Sequence, residues 1–537
     1  MSRSSFVRRF AALPIGLALV AGCGDNRTAT SPSTSEPAST STMPASTSTT
    51  AGLDTAATVS FLLNFSPKSL DPAVGNIGWN TMQLGAGETL QRVNRDGNLE
   101  PWLAKSVTRV DDRTWRVSLR PGVTFFDGTV VDAAAVKASL ERSIAKLPNL
   151  ATLVDAASIE ATDPSAVTIV TKNPNPGLPN ALAHFNSVIH DAKKADTNNE
   201  SFAASPNLTG PFKATDFRVD AGVKMVRNET YWGDKAKVAA VNVRFVADAS
   251  VRTAAALSGE ADLAYQIPPE SLAALKAKSD ITVASVTTGY QYFVIYNTRK
   301  PMFTDAAVRK ALADAIDRES LAKNVMLGTA KPATGAISPI FPFALRSGGQ
   351  GGGAAAAERA LDAAGWTKGG DGIRAKGDQR LSFTMLTYPQ RPELGNLAVA
   401  IQAQLKPLGV EFQIKSVDQI NTELGTNNWD ASMYAVNTAP TGDPAPLFQA
   451  YFTTTGGSNF GKFSVPAIDT AIQSLGGISD SSARQTAALD IQKQLNELAP
   501  HAFLLVPQFN IALSKRMTYQ PFPSDYYIID NQFGVRR

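Results

Sequence analysis

Apolar positions along this chain follow three successive patterns. Phe10 to Val20 forms a short apolar stretch. From Gly24 to about Thr55 the chain is almost entirely Ser, Thr, Ala and Pro. From Val59 onward, apolar residues recur with the periods of strands and helices. Val59 to Leu63 reads as a strand, and Ser69-Leu70-Asp71-Pro72 as the turn behind it. Trp115, Val117 and Leu119 alternate as a second strand. Turns are predicted at Arg120-Pro121-Gly122-Val123 and Phe126-Asp127-Gly128-Thr129, and a helix capped by Asp132 through Ile144. Val241 to Phe245 alternates again. Val308, Leu312, Ala315 and Ile316 then lie at helical spacing within Ala306–Leu327. Residues 99–145 thus read as short strands and turns leading into a helix, and a second α/β stretch begins near Val241.

The clearest local topology lies between residues 380 and 417. Leu381, Phe383 and Met385 share one strand face. Leu394, Leu397, Ala398, Ile401 and Leu405 mark a helix, and Val410, Phe412 and Ile414 a second strand. Strand, helix and strand at this spacing predict a parallel βαβ unit with a right-handed crossover. Ligands on open α/β sheets lie beyond the carboxyl ends of strands. The segments after Met385 and after the next apolar strand, Ala431 to Val436, are therefore the places to look. Gly348 to Gly353 reads as a flexible approach to an Ala-rich helix, and no internal repeat is evident.

The first two patterns concern export. Arg3, Arg8 and Arg9 precede the apolar stretch, and Ala21-Gly22 precede Cys23, the only cysteine. This is the anatomy of a signal peptide over residues 1–22, and the small pair before the cysteine resembles a lipobox. Cys23 is the expected lipidation site, its acyl chains contributing about 0.8 kcal/mol per buried methylene. Residues 23–55 are expected to be a disordered tether, lacking apolar side chains to offset their ordering entropy. As a flexible coil the tether would span roughly 30 Å. The protein is expected on the extracytoplasmic side of the cell membrane, periplasmic or cell-wall facing, held by its lipid.

About 480 residues remain, enough for two or three domain-sized units. Without the leader, Lys and Arg fall from 51 to 48 against 47 acids. A net charge near neutrality without a basic block argues against nucleic acid as a partner. With its one cysteine lipidated, the fold must rest on its core. The three histidines, His184, His190 and His501, are scattered without metal-ligand spacing. No Gly-x-Ser-x-Gly elbow is present. Gly456 to Lys462 fits the start of a P-loop, but Phe463 stands where magnesium needs a hydroxyl and no apolar strand precedes it. Neither catalysis nor a cofactor is expected.

An ordered series of motifs carries a resemblance. It runs from Pro101-Trp102-Leu103-Ala104-Lys105-Ser106 and Arg120 to Thr129, with the helix Asp132 to Arg142, through Thr209-Gly210-Pro211-Phe212 and Asn228 to Gly233. It continues with Gly259 to Asp262, Tyr296-Asn297-Thr298, Val308 to Leu312, Ala363 to Trp366, Asn459 to Phe463, and Ala467-Ile468-Asp469. This set, over roughly residues 58 to 515, resembles the family 5 extracellular solute-binding proteins, the peptide- and nickel-binding components of ABC importers. The resemblance implies an α/β, two-lobed periplasmic-binding-protein fold of the class II, or cluster C, type, with three subdomains and a hinge. Lobe I would take residues 56–265, lobe II residues 266–510, and residues 511–537 would return to lobe I. Most of these motifs serve turns and packing in any member; Tyr231 and Trp232 are expected to pack a lobe.

The resemblance also directs attention to the ligand. In peptide-binding members an aspartate three residues before the Asp-Pro pair holds the peptide ammonium; here Pro440 occupies that place before Asp443-Pro444. Asp443 is expected mainly to serve its own turn. Nickel-binding members hold a chelated metal among arginines and aromatics, in some with a histidine on the metal. Thr438 and Gly442 stand where such members carry aromatics, and no histidine lies between Asn437 and Phe463. Tyr388 to Leu394 and Asn437 to Pro444 resemble the wider nickel and opine-metallophore branch. There an arginine grips chelate carboxylates in bidentate fashion, a role matching Arg391, for which a surface salt bridge is the plain alternative. The expected ligand contacts are Arg391, Asn437, Thr438, Thr441, Tyr290, Tyr292 and Trp79, with no direct metal ligand; aromatics at these places serve cores as readily as pockets. His184 lies near another family pocket position, although a lone histidine is usually structural.

The reading is a lipid-anchored binding component of an ABC importer, whose partners are a small-molecule ligand (metal chelate or short peptide), a permease and its ATPase. The ligand is expected to be a metal chelate or metallophore ahead of a di- or oligopeptide. Rival classes are a secreted hydrolase, which needs a nucleophile with its base or a metal site, and a sensor or adhesion lipoprotein that keeps the fold without an importer.

Overall fold

Strand Thr58–Leu63 lies between and parallel to Ala240–Phe245 and Leu263–Ala264. The sheet continues antiparallel through Gly222–Arg227 to Phe212–Arg218. This arrangement comes from a computed structural model that describes residues 52–537. Cys23 and nearly all of the expected tether lie outside the described residues. The body reaches back to the tether's last residues, since Leu53 bridges Arg536 and the Asp54 N–H donates to the Val535 carbonyl (2.8 Å).

A second group of strands forms around Ser382–Thr387, which runs parallel to both Glu411–Ser416 and Ala431–Asn437. The helix between the first two, Pro392–Leu405, buries Leu394, Leu397, Ala398, Ile401 and Leu405. These are the five residues whose spacing predicts it. Ala431–Asn437 pairs antiparallel with Tyr290–Tyr296. One fourteen-residue strand, His501–Ser514, joins the two groups. Its first half pairs with Tyr290–Tyr296, its second with Ile281–Thr287.

A separate antiparallel sheet of Ala104–Arg109, Thr114–Leu119, Ala166–Thr171 and Ala156–Asp163 carries the helix Ala133–Lys146. Asp132 caps that helix, accepting from the Ala135 N–H (2.9 Å), and the helix runs two residues beyond Ile144. The predicted helix from Ala306 differs from the observed chain. It ends at Ala315, and Ile316 is extended. Asp317 then starts a new turn by accepting from the Ser320 N–H (2.9 Å). The cause is Arg318, buried, whose guanidinium donates to the carbonyls of Ala313, Ile316 and Phe503. Those carbonyls gain a partner where a continuous helix would have passed.

Buried apolar residues separate accordingly. One core gathers residues between 292 and 506, together with Val93. A second combines residues 57–265 with 509–535. A third lies on the four-stranded sheet, and a small fourth under Ala255 and Leu275. The chain crosses between the two large cores at Thr287–Tyr290 and Val506–Gln508. There the Thr288 N–H and hydroxyl both donate to the Pro507 carbonyl (3.2 and 2.9 Å).

Candidate functional site

The carboxyl ends of the parallel strands converge from both strand groups. Thr58–Leu63 leads into Asn64 and Phe65, Ala240–Phe245 into Ala247, and Leu263–Ala264 into Gln266. Ser382–Thr387 leads into Pro389, Gln390 and Arg391. All of these line one cavity of about 630 Å³, bordered where the long strand passes by Pro507, Gln508 and Asn510. This is where an open α/β sheet places a ligand.

Arg252 sets the geometry of one wall. Its buried guanidinium donates to the carbonyls of Tyr265, Val246, Ala247 and Gln266 at 2.8–2.9 Å, tying two strand ends together. Gln266 is held at a φ of 51°, a left-handed conformation that a non-glycine side chain disfavours. Strain of this kind concentrates at ligand sites. The Asn64 amide donates to Gln266 Oε1 (2.6 Å), which leaves Asn64 Oδ1 and Gln266 Nε2 buried without partners.

The opposite wall carries Arg391 at the start of helix Pro392–Leu405. Its guanidinium lies 5.1 Å from the Tyr290 ring centroid, a cation–π contact. Among the described residues it has no hydrogen-bonded or ion-paired acceptor. Burial works against its charge, but the surrounding Tyr292, Tyr290 and Glu393 raise its pKa and keep it protonated. The Tyr292 hydroxyl donates to Glu393 Oε1 (2.5 Å) at the same wall.

Trp79 packs behind the lining, its ring edge-on to Phe65 (5.2 Å between centroids), which faces the cavity. Beside it lies Asp525, buried, from the C-terminal segment; burial pushes its carboxyl up to about 6. The Tyr290 hydroxyl donates weakly to Asp525 Oδ2 (3.4 Å).

The structure thus places Tyr292 and Arg391 on the lining of one cleft, with Tyr290 packed against Arg391 and Trp79 against the lining residue Phe65. Asn437 stands directly across the ladder from Tyr290, and its Oδ1 has no partner. A Cβ on Gly289 would meet that oxygen at 2.8 Å, so glycine permits this approach. Thr438 and Thr441 are committed elsewhere. Thr438 Oγ1 donates to the Gly289 carbonyl (2.9 Å) and accepts from the Ser338 N–H (3.1 Å). Thr441 is buried, and its carbonyl accepts from Asn180 (2.8 Å). Asp443 accepts two hydrogen bonds from Arg484 (2.8 Å each) and one from the Ala445 N–H, serving its turn. His184 accepts from the Asn186 N–H, and burial lowers its pKa to about 4.

Thr438→Val should cost about 1–3 kcal/mol, because it strands the buried Ser338 N–H beside the core crossing. Urea unfolding checks this; a loss under about 0.5 kcal/mol would remove the hydroxyl from the crossing's support.

Sequence reasoning missed Asn64, Gln266, Glu393 and Asp525. The first two follow strand ends and obey the same carboxyl-end rule that singles out Arg391. Glu393 sits two residues from Arg391. Asp525 carries no local signal. Among the described residues, no three His, Cys, Asp or Glu side chains converge as a metal site, and no helix is long and apolar enough to cross a membrane.

The family model for bacterial extracellular solute-binding proteins, family 5, matches residues 98–459. The nickel-binding protein NikA of Staphylococcus aureus is 28% identical over 459 residues, covering 85% of this chain and 90% of its own. A crystal structure of NikA from Staphylococcus aureus in complex with Ni(L-His)2 superposes with a TM-score of 0.74 at 26% identity, over 89% of this chain and 100% of that one. The glutathione-binding protein GsiB of Pectobacterium atrosepticum is 28% identical over 419 residues, 76% of this chain and 80% of its own. The nickel ABC transporter protein of Bacillus halodurans superposes with a TM-score of 0.77 at 31% identity, over 89% of this chain and 100% of that one.

Proposed function

Because the chain belongs to the bacterial extracellular solute-binding proteins of family 5, we propose that it captures a small solute outside the cytoplasm and delivers it to the permease and ATPase of an ABC importer. The solute is a metal chelate or metallophore ahead of a short peptide. Its fold is the α/β fold of the periplasmic binding proteins.

The observation that carries this reading is Arg391. A charged, half-buried guanidinium without an internal acceptor stands in the cavity where strand ends of both large cores meet. Burying an unpaired charge is costly, and a ligand carboxylate would relieve that cost with a bidentate charge-assisted pair. A chelator or amino acid bearing a carboxylate fits this role, and a metal would arrive as cargo already held by it. A short peptide is the second reading. Asn64 Oδ1 and Gln266 Nε2 favour it, since an unpartnered acceptor beside an unpartnered donor complements a peptide group.

Capture would proceed by closure of two lobes about the crossings at Thr287–Tyr290 and Val506–Gln508. The binding energy would select the closed form that docks on the permease. Asn180 to Thr441 and Arg109 to Ser479 (3.0 Å) are contacts away from those crossings that closure would make. Lobe I, expected over residues 56–265 with 511–537, would then extend to about Thr287 and resume near Gln508, and lobe II, expected over residues 266–510, would lie between those crossings.

Isothermal titration of the full chain with Ni(II)–L-histidine, Ni(II) alone, and tri- and tetrapeptides tests the ligand class. The chelate should bind and bare Ni(II) should not. Peptide binding alone would support the di- or oligopeptide reading, and peptide cleavage would turn the argument toward a hydrolase. Anchoring by lipid on Cys23 predicts that Cys23→Ala moves the protein from the membrane pellet to the soluble extracytoplasmic fraction. An unchanged pellet fraction would remove the lipid from the account.

A further inference from the structure

Just behind the lining of the cleft, against Tyr290, lies a second charge without an ion-pair partner, of the opposite sign. Asp525 is 2% exposed. Its Oδ1 has no hydrogen-bond partner, and its Oδ2 has only the long contact from the Tyr290 hydroxyl. The Trp79 indole N–H lies beside it, outside hydrogen-bond geometry and likewise without a partner. No described cation makes an ion pair with it; the Arg391 charge acts on it from a distance, partly opposing the rise that burial imposes.

Aromatic residues flank this carboxylate: the Tyr290 hydroxyl reaches it, and Tyr526 follows it in the chain. Phe509 packs on both Tyr265 and Tyr290 (5.5 and 5.9 Å), and Phe185 packs on Tyr526 (5.5 Å). Ring faces attract cations, so a carboxylate inside such a cage suits a nitrogen cation or N–H donor better than water or an anion.

The two unpaired charges also sit on different cores. Asp525 neighbours Tyr526 and Tyr527 in the core built from residues 57–265 and 509–535. Arg391 opens a helix whose apolar face belongs to the other. Both flank Tyr290, yet they do not pair with each other. Leaving a buried carboxylate and a half-buried guanidinium without a direct ion pair is costly, by several kcal/mol for a fully buried ion. That cost is relieved by one molecule carrying both complementary groups.

We propose that Asp525, within its aromatic cage, anchors the amino nitrogen of the solute, as ammonium or as a metal-bound N–H2 group, while Arg391 takes the carboxylate. The solute then ends in an amino-carboxylate, as a free amino-acid end or as the chelator of a metal. This rests on the cleft being the ligand site proposed above. It also gives closure a cause, because a single solute end bridges an anchor on each core. Asp525 supplies the carboxylate that Pro440 cannot.

The test titrates the full chain and Asp525→Asn with Ni(II)–L-histidine and trialanine, each against its N-acetyl form. Removing one partner of a buried charged pair costs 2–5 kcal/mol, about 30-fold or more in affinity. In the wild type, N-acetylation should weaken binding by at least about that factor. In Asp525→Asn the free-amino probes should weaken equally, and acetylation should then add nothing further. The ligand-free Tm of Asp525→Asn should stay level or rise, because the substitution removes a buried charge; a purely structural aspartate would lower it. Wild-type affinity for free-amino probes in Asp525→Asn would overturn the proposal. So would equal binding of free and acetylated probes by the wild type, although the cleft would remain a ligand site. Binding of none of the four would overturn the cleft reading along with it.

Discussion

Arg391→Ala should weaken solute binding by about 100-fold or more while leaving the fold as stable as before. A buried, charge-assisted pair truncated on one side loses about 2–5 kcal/mol, and every 1.4 kcal/mol is tenfold in affinity. The stability half of the expectation follows from geometry. The Arg391 side chain donates to no described acceptor, and its one resolved contact is the Tyr290 ring. Its removal leaves no acceptor stranded and relieves the burial that opposes its charge. Arg391→Lys should recover only part of the affinity, since an ammonium cannot reproduce the guanidinium fork. Calorimetric titration beside thermal unfolding checks both halves. Lost affinity with an equally lowered Tm would make Arg391 a structural residue.

The largest loss of stability is expected at Arg142. It donates to both oxygens of Asp71 (2.9 and 2.7 Å) with side-chain exposures of 4% and 1%. It also donates to Asp196 (2.8 Å) and to His190 Nε2 (3.1 Å). The pair ties the helix on the four-stranded sheet to the loop behind strand Thr58–Leu63. Arg142→Ala abandons Asp71 in the interior and should cost about 3–5 kcal/mol in urea unfolding. Asp71→Leu combined with Arg142→Met should recover much of that loss, because the pair's own desolvation disappears with it. A single-mutant loss below 1 kcal/mol would contradict this account.

The pH dependence follows with its sign. Burial alone would raise the Asp71 carboxyl, but Arg142 and the Ala73 N–H hold it below its usual value. A depressed carboxyl adds stability above its unfolded pKa and loses it as pH falls through the folded one. The gap between wild type and Arg142→Ala should therefore shrink on acidification below about pH 4.

What the sequence made legible was whatever one element decides for itself. The five apolar residues of Pro392–Leu405 lie on a single face, so their spacing fixes helix and buried side together. The motif series carried the family because turns and caps are local: Asp132 still caps its helix through the Ala135 N–H. Arg391 could be singled out because it follows a strand end within one βαβ unit. The break at Ile316 was invisible, since the carbonyl that helps hold it belongs to Phe503. Asp525 was invisible for the same reason: its meaning depends on Trp79 and Tyr290, hundreds of residues earlier. Thr438 looked like a ligand contact in the specificity segment, whereas its hydroxyl fastens the crossing at Gly289.

The most direct measurement is native mass spectrometry of the full chain purified from its own host, with elemental analysis of the same sample, for wild type and Arg391→Ala in parallel. The account predicts a small organic solute released from the wild type on unfolding, accompanied by nickel, cobalt or zinc, and absent from Arg391→Ala. Peptide masses without metal would replace the chelate with the peptide reading at the same site. A wild type that carries no solute, or an Arg391→Ala that carries it equally, would contradict the claim that this cleft captures the protein's ligand.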